Sequence, residues 1–200
     1  MHNFLQRLKA SIGGGGAFGG VARTNQFMVL INFPFGVSGT ETEGLALRCD
    51  AVTMPGRTMN TTPNTERYGP ATQIVDGWTY EDITCSFLAD ENFKIKDMFS
   101  EWQYSMFGAG NVFYGSGGPT PSFNMGFYKD YVRPLDIYSI DRNNVKKHGV
   151  RLVEAFPKTI NANEFNMETI NELQKVSVSF AYRYWHEIDA EGADKTEDLF

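Results

Sequence analysis

The stretch WTYEDITCSFLADENFKIKDMFSEWQ, from Trp78 to Gln103, most constrains the fold, because a strand pattern passes into a helix pattern without a flexible linker. Ile83, Cys85 and Phe87 alternate with polar residues, which is the period of two expected of a strand with one buried face. Apolar residues then recur at helical spacing from Ile95 to Met106. The stretch therefore predicts a sheet whose apolar face is covered by a helix.

Further strands are predicted on both sides of this stretch. QFMVLINF, residues 26–33, is a short apolar run, LALRC, residues 45–49, alternates in polarity, and KVSVSFAYRY, residues 175–184, has the cleanest alternation. Asp90 is placed to cap the predicted helix and Gly108 to end it. About six or seven strands and one helix are expected. These elements predict a mainly β fold, an antiparallel sandwich or barrel with one flanking α-helix.

The two ends of the chain differ from its middle. Residues 1–24 form an N-terminal appendage that includes the Gly-rich hinge GGGGAFGG, and residues 188–200 form an acidic C-terminal tail. The formal net charge is −6, and the residues from Glu187 onward, with six acids and one lysine, carry −5 of it. The central domain, residues 25–187, is therefore nearly neutral, which argues against a surface that grips nucleic acid through clustered Lys and Arg.

Groups that carry catalysis are sparse. The three histidines are isolated from one another, and Cys49 and Cys85 stand in apolar strand patterns without a nearby second ligand. The sequence therefore predicts no enzyme activity, no metal and no cofactor. It also contains no apolar run near the roughly 20 residues that cross a bilayer. Tyrosines between Tyr128 and Tyr138 leave a carbohydrate-binding β-sandwich open as an alternative.

Residues 58–71, TMNTTPNTERYGPA, have neither hydrophobic period. Two interpretations remain open for this segment: an exposed irregular loop, or an arm that contacts another subunit. Irregular loops longer than about 12 residues usually serve a function or are disordered, which favours the arm. The candidate inter-subunit residues are Asn60, Thr61, Thr62, Asn64, Arg67 and Tyr68.

Three blocks together carry a family resemblance. They are LRCDAVTMPG from Leu47 to Gly56, the segment from Asp76 to Gln103, and VRLVEAFPKTINANEFN followed by VSVSFAYRYWHE. In order and composition these blocks resemble the tail tube proteins of T-even-like contractile-tailed bacteriophages, over approximately residues 25–187. The residues that carry the resemblance are Pro55, Gly56, Trp78, Trp102, Gln103, Pro157, Tyr184 and Trp185.

The resemblance implies a structural virion protein rather than an enzyme. It implies subunits that close into hexameric rings and stack into a hollow tube, with tail sheath and baseplate proteins as further partners. DNA would pass through the lumen without specific binding, and no membrane would be involved. The implied location is the virion tail, after assembly in the host cytoplasm. A baseplate protein of the same fold that starts the tube is the nearest alternative.

Overall fold

The computed structural model describes residues 24–37, 39–65, 68–107, 125–141, 143–163, 165–166 and 173–193. Twelve elements lie within these ranges: β1 (Phe27–Ile31), α1 (Gly39–Leu47), β2 (Cys49–Val52), β3 (Thr58–Asn64), β4 (Thr72–Thr79), β5 (Ile83–Leu88), α2 (Lys94–Ser105), α3 (Tyr128–Tyr131), β6 (Arg133–Ile140), β7 (Lys146–Ile160), β8 (Lys175–Ala181) and β9 (Tyr184–Ile188).

The long strand β7 joins two antiparallel sheets. Its first part lies between β6 and β9, giving the order β1-β6-β7-β9, and its second part pairs with β8, giving the order β7-β8-β5-β2. Near the change of partner, Glu154 has φ 57°, a left-handed conformation that is uncommon outside glycine. The Glu154 carboxylate accepts hydrogen bonds from Tyr128 Oη (3.1 Å) and Arg183 Nη1 (3.3 Å). The predicted antiparallel, mainly β fold is confirmed.

Helix α2 covers the apolar face of the sheet that contains β5 and β8, as the sequence pattern predicts. The Phe99 ring lies 5.3 Å from that of Phe87 and 5.9 Å from that of Phe180, and all three side chains are fully buried. The helix begins at Lys94, where the Ile95 amide donates to Asp90 Oδ1 (3.3 Å). Asp90 thus stabilises the first turn, although Phe93 and not Asp90 precedes the helix directly. Gly108, expected to end the helix, lies outside the described residues.

The face of β6 that points away from the core residues Leu135 and Ile137 carries a partly buried ion pair. Arg151 donates through Nε and Nη2 to the two oxygens of Asp136, at 2.7 and 2.9 Å. Tyr138 lies on the same face and is also buried, and burial raises the pKa of its hydroxyl. Gly149 approaches this tyrosine so closely that an added Cβ would come within 2.8 Å of the ring. A larger residue cannot enter here without moving its neighbours.

Two local predictions are wrong. Residues 45–47 belong to helix α1 and not to a strand, and only the segment from Cys49 pairs with β5. Leu45 is buried whereas Leu47 is 84% exposed, because residues two apart point to different sides of a helix. Residues 58–64 form strand β3 instead of an irregular loop. The described residues also hold more elements than the six or seven strands and single helix expected.

Candidate functional site

Strands β3 and β4 form a two-stranded sheet of their own, which we call the arm (residues 58–79). Their antiparallel register sets Met59 opposite Trp78 and Thr61 opposite Val75. A register shift between Asn60 and Thr61 leaves Asp76 without an opposite residue on β3. No strand of the main sheets is hydrogen-bonded to the arm among the described residues. An isolated two-stranded hairpin is only marginally stable in water, so the arm is an incomplete structure by itself.

The two faces of the arm differ in chemistry. One face exposes Met59 (48%), Val75 (59%) and Trp78 (48%). The other carries cross-strand polar contacts, in which Asn60 Nδ2 donates to Thr79 Oγ1 (2.9 Å) and Thr62 Oγ1 donates to Asp76. The arm therefore presents three large apolar side chains to solvent on one face, whereas its more polar face is bonded within itself and exposes Ile74 (47%).

The structure brings together most of the candidate inter-subunit residues. Asn60, Thr61, Thr62 and Asn64 lie in β3, and Tyr68 is fully exposed in the connection to β4. Strand alternation places Thr61 on the apolar face and the other three on the polar face. Arg67 lies outside the described residues. Sequence reasoning singled out Trp78 but missed Ile74 and Val75 of β4, whose only signal is the short ATQIVDGW segment.

An aromatic cluster holds the base of the arm. The Arg57 guanidinium carbon lies 5.2 Å from the ring centroid of Trp78, 5.9 Å from that of Tyr80 and 4.9 Å from that of Trp185. Trp185 Nε1 donates to the Gly56 carbonyl (3.3 Å). Three of the residues that carry the family resemblance therefore meet at the base of the arm: Gly56, Trp78 and Trp185. Arg57 was missed, since a lone arginine beside a turn carries no pattern.

Two other residues that carry the family resemblance complete the hydrogen bonding around α2. Trp102 is fully buried and its Nε1 donates to the Tyr131 carbonyl (2.8 Å). Gln103 Nε2 donates to the carbonyls of Pro157 (3.3 Å) and Lys158 (3.4 Å) on strand β7. These side chains thus supply donors to backbone carbonyls that face the helix. Of the remaining three, Pro157 is buried in β7, Tyr184 is exposed on β9 and Pro55 is half-buried before the arm.

The face of the β7-β8-β5-β2 sheet that points away from α2 is polar, and we call it the hydroxyl face. Among the described residues, each lysine on this face is paired with an aspartate. Hydroxyls pair across β5 and β8, with Thr84 Oγ1 3.1 Å from Ser179 Oγ and Ser86 Oγ 3.4 Å from Ser177 Oγ. The two lysines are each bound to an aspartate at 2.6 Å: Lys175 to Asp50, and Lys158 to Asp82. The charges of this hydroxyl face therefore cancel pairwise.

The histidines, cysteines, carboxylates and tyrosines singled out in the sequence are placed as follows. No group of three or more His, Cys, Asp or Glu in the described ranges is placed to hold a metal ion. Tyr138 is 3% exposed, and the rings of Tyr128 and Tyr131 meet edge to face at 79°. No helix in the described part of the chain is long and apolar enough to cross a membrane. Of these tyrosines, Tyr138 is thus withdrawn from solvent, whereas Tyr128 is 43% exposed.

Comparisons with known proteins agree with this architecture. A family model described as "Phage tail tube protein" matches residues 22–188. A search of curated proteins found no match to the chain.

Among solved structures, a chain of the anti-feeding prophage baseplate is 9% identical, with a TM-score of 0.57, 86% of this chain covered and 97% of that chain. Chains of the sheath–tube complex (TM-score 0.53, 84% and 92% covered) and of the sheath/tube terminator (TM-score 0.56, 84% and 96% covered) of an extracellular contractile injection system, PVC, are each 11% identical. Likeness at these identities concerns the fold.

Proposed function

The chain belongs to the phage tail tube protein family, and from this membership we propose that it closes into six-membered rings that stack into a hollow conduit for DNA. It is a structural subunit of the tail tube. A head-to-tail contact between identical subunits generates a ring when its rotation closes, and a second contact along the axis adds further rings. Each subunit therefore needs two kinds of complementary surface.

The observation that carries this proposal is the arm. It has no sheet partner in its own described body, and it exposes Met59, Val75 and Trp78 on one face. Exposed apolar surface on a two-stranded sheet is a liability in a monomer and a binding surface in an assembly. We assign this face to contact with a neighbouring copy, where burial of the three side chains stabilises the assembly.

We assign the hydroxyl face of the β7-β8-β5-β2 sheet to the channel wall. The other face of the same sheet is packed under α2, so the hydroxyl face is the one available to solvent. DNA is a polyanion, and bare lysines on the wall would retard it through phosphate contacts. Pairing Lys175 with Asp50 and Lys158 with Asp82 avoids this while keeping the wall hydrated.

The remaining surface is available for the other tail proteins. The neighbouring folds come from sheath–tube, terminator and baseplate assemblies, and this supports contacts of the present chain with a sheath and a baseplate. We place the protein in the virion tail, with assembly in the host cytoplasm. Residues 1–24 and 188–200 are proposed as an appendage and a tail to the domain, which the family match spans from residue 22 to 188.

Electron microscopy of purified wild-type and Val75→Asp protein tests the arm contact. Wild type should form rings or hollow rods, whereas Val75→Asp should remain monomeric, because the carboxylate would be buried at the contact. Thr72→Asp is the matched control, since it adds the same charge to the polar face of the arm. Rods formed equally by both variants would refute the arm assignment. Copy number in intact particles separates a tube subunit, which is abundant, from a tube initiator.

A further inference from the structure

We infer that Arg57 acts as a clamp that sets the angle between the arm and the body before subunits meet. The clamp consists of Arg57 together with Trp78, Tyr80 and Trp185. This inference rests on the proposed function, because the arm angle matters only if the arm contacts another copy. It goes further by naming residues that position the arm, of which only Trp78 also belongs to the proposed contact face.

The clamp gathers groups from every connection between arm and body. Arg57 lies in the segment that enters the arm from β2, and Tyr80 lies in the segment that leaves the arm for β5. Trp78 belongs to the arm itself, and Trp185 belongs to β9 of the body. Because both connections pass through this cluster, stacking on one guanidinium fixes their relative position.

Trp185 anchors the clamp to the body. Its ring packs partly against the hydrophobic core, and it faces Leu152 of β7 in the strand register. Its indole N–H donates to the Gly56 carbonyl, one residue before Arg57. Tyr182, which also packs against the core, contacts the Tyr80 ring with centroids 5.9 Å apart and the ring planes tilted by 51°. The body side of the cluster is therefore packed against the core, and Arg57 contacts it at the entry to the arm.

The chemistry of Arg57 fits stacking better than ion pairing. Among the described residues its guanidinium has three aromatic neighbours and no carboxylate partner within salt-bridge distance. A planar guanidinium offers two flat faces and its edge N–H groups to surrounding rings, whereas the ammonium of lysine makes cation–π contacts but has no flat face to stack. Holding a binding element in its bound orientation lowers the entropy lost on association. We therefore assign the positioning of the arm to the ring contacts of the Arg57 guanidinium and not to its charge alone.

Amide hydrogen exchange of the monomeric protein, at concentrations below assembly, tests the clamp directly. We expect Arg57→Lys and Arg57→Ala to speed exchange in the arm by roughly tenfold, the order expected when stacking on several rings is lost. Exchange in β6 and β7 should not change. Arg48→Lys is the matched control, since Arg48 is exposed and stacks on no ring among the described contacts. Unchanged arm exchange in both Arg57 variants would overturn the clamp.

Tube growth measured on the same proteins separates the clamp from the proposed function. If Arg57→Ala loosens the arm and slows tube growth, the clamp and the arm contact are both supported. If it loosens the arm while growth stays at the wild-type rate, the clamp stands and the arm contact in assembly fails. If Val75→Asp blocks growth but Arg57→Ala leaves the arm rigid, the arm contact stands and the clamp is wrong. Trp185→Phe keeps a ring and removes the N–H, so its exchange should fall between wild type and Arg57→Ala.

Discussion

Removing the two aspartates of the hydroxyl face should convert an inert surface into one that retains DNA. Asp50 and Asp82 each neutralise one lysine at 2.6 Å, and the side chains of both pairs are 38–57% exposed. Exposed ion pairs contribute little to folding stability, so the double variant Asp50→Asn, Asp82→Asn should fold and assemble normally. Its altered behaviour toward DNA can then be attributed to surface charge.

The expected magnitude follows from the charges. Two lysines and two aspartates sum to zero, and the double variant leaves +2 on the face of each subunit. Each phosphate contact adds roughly 0.9 to the slope of log affinity against log salt. Each subunit that makes two contacts should therefore steepen that slope by about 1.8, which corresponds to about a tenfold loss of retention per contacting subunit between 50 and 200 mM salt.

The assay follows release of a fluorescent duplex oligonucleotide from purified tubes across a salt series. The double variant should hold the duplex at low salt and release it as salt rises, whereas wild type should release it throughout. Adding Lys158→Gln and Lys175→Gln restores neutrality and should restore wild-type release. Intact tubes of the double variant that release DNA like wild type would refute the assignment of this face to the channel wall.

Three further outcomes test the fold and its buried groups. Gly149→Ala should lower the free energy of unfolding in urea by about 1–3 kcal/mol, because the added Cβ would lie 2.6 Å from Ile188 Cγ1. Gly77→Ala is the control, since its Cβ would meet nothing within 4 Å. Equal effects of the two substitutions would contradict the packing argument. Trp102→Phe should lower the free energy of unfolding by about 1–3 kcal/mol, because the Tyr131 carbonyl loses its hydrogen-bond donor. An unchanged urea midpoint would count against a stabilising role of that hydrogen bond. Burial raises the pKa of the Cys49 thiol from 9.0 to about 12, so unfolding releases a proton above pH 9 and the free energy of unfolding falls from there towards pH 12. Cys49→Ser should remove part of this fall. Iodoacetamide should label the native thiol at pH 9 far more slowly than the unfolded one.

Several elements were predictable because their patterns are local and strong. Strands β5 and β8 alternate apolar and polar residues over most of their length, from Ile83 to Phe87 and from Lys175 to Phe180, and α2 carries an apolar stripe at helical spacing. Burial of one face is enough to select such elements whatever the rest of the chain does. Helix α1 was mispredicted because a few alternating residues match a strand by coincidence, while only Leu45 reaches the core.

The arm, the clamp and the hydroxyl face were decided by contacts between distant parts of the chain. Strand β3 is polar and exposed, and it is a strand only because β4 pairs with it. Arg57 acquires its role when Trp185, far along the chain, comes within 4.9 Å. The sequence by itself determined an antiparallel β domain with a covering helix, since hydrophobic periodicity is a local property. Tertiary structure decided which polar groups meet, because pairing of charges and rings depends on register between strands that periodicity does not encode.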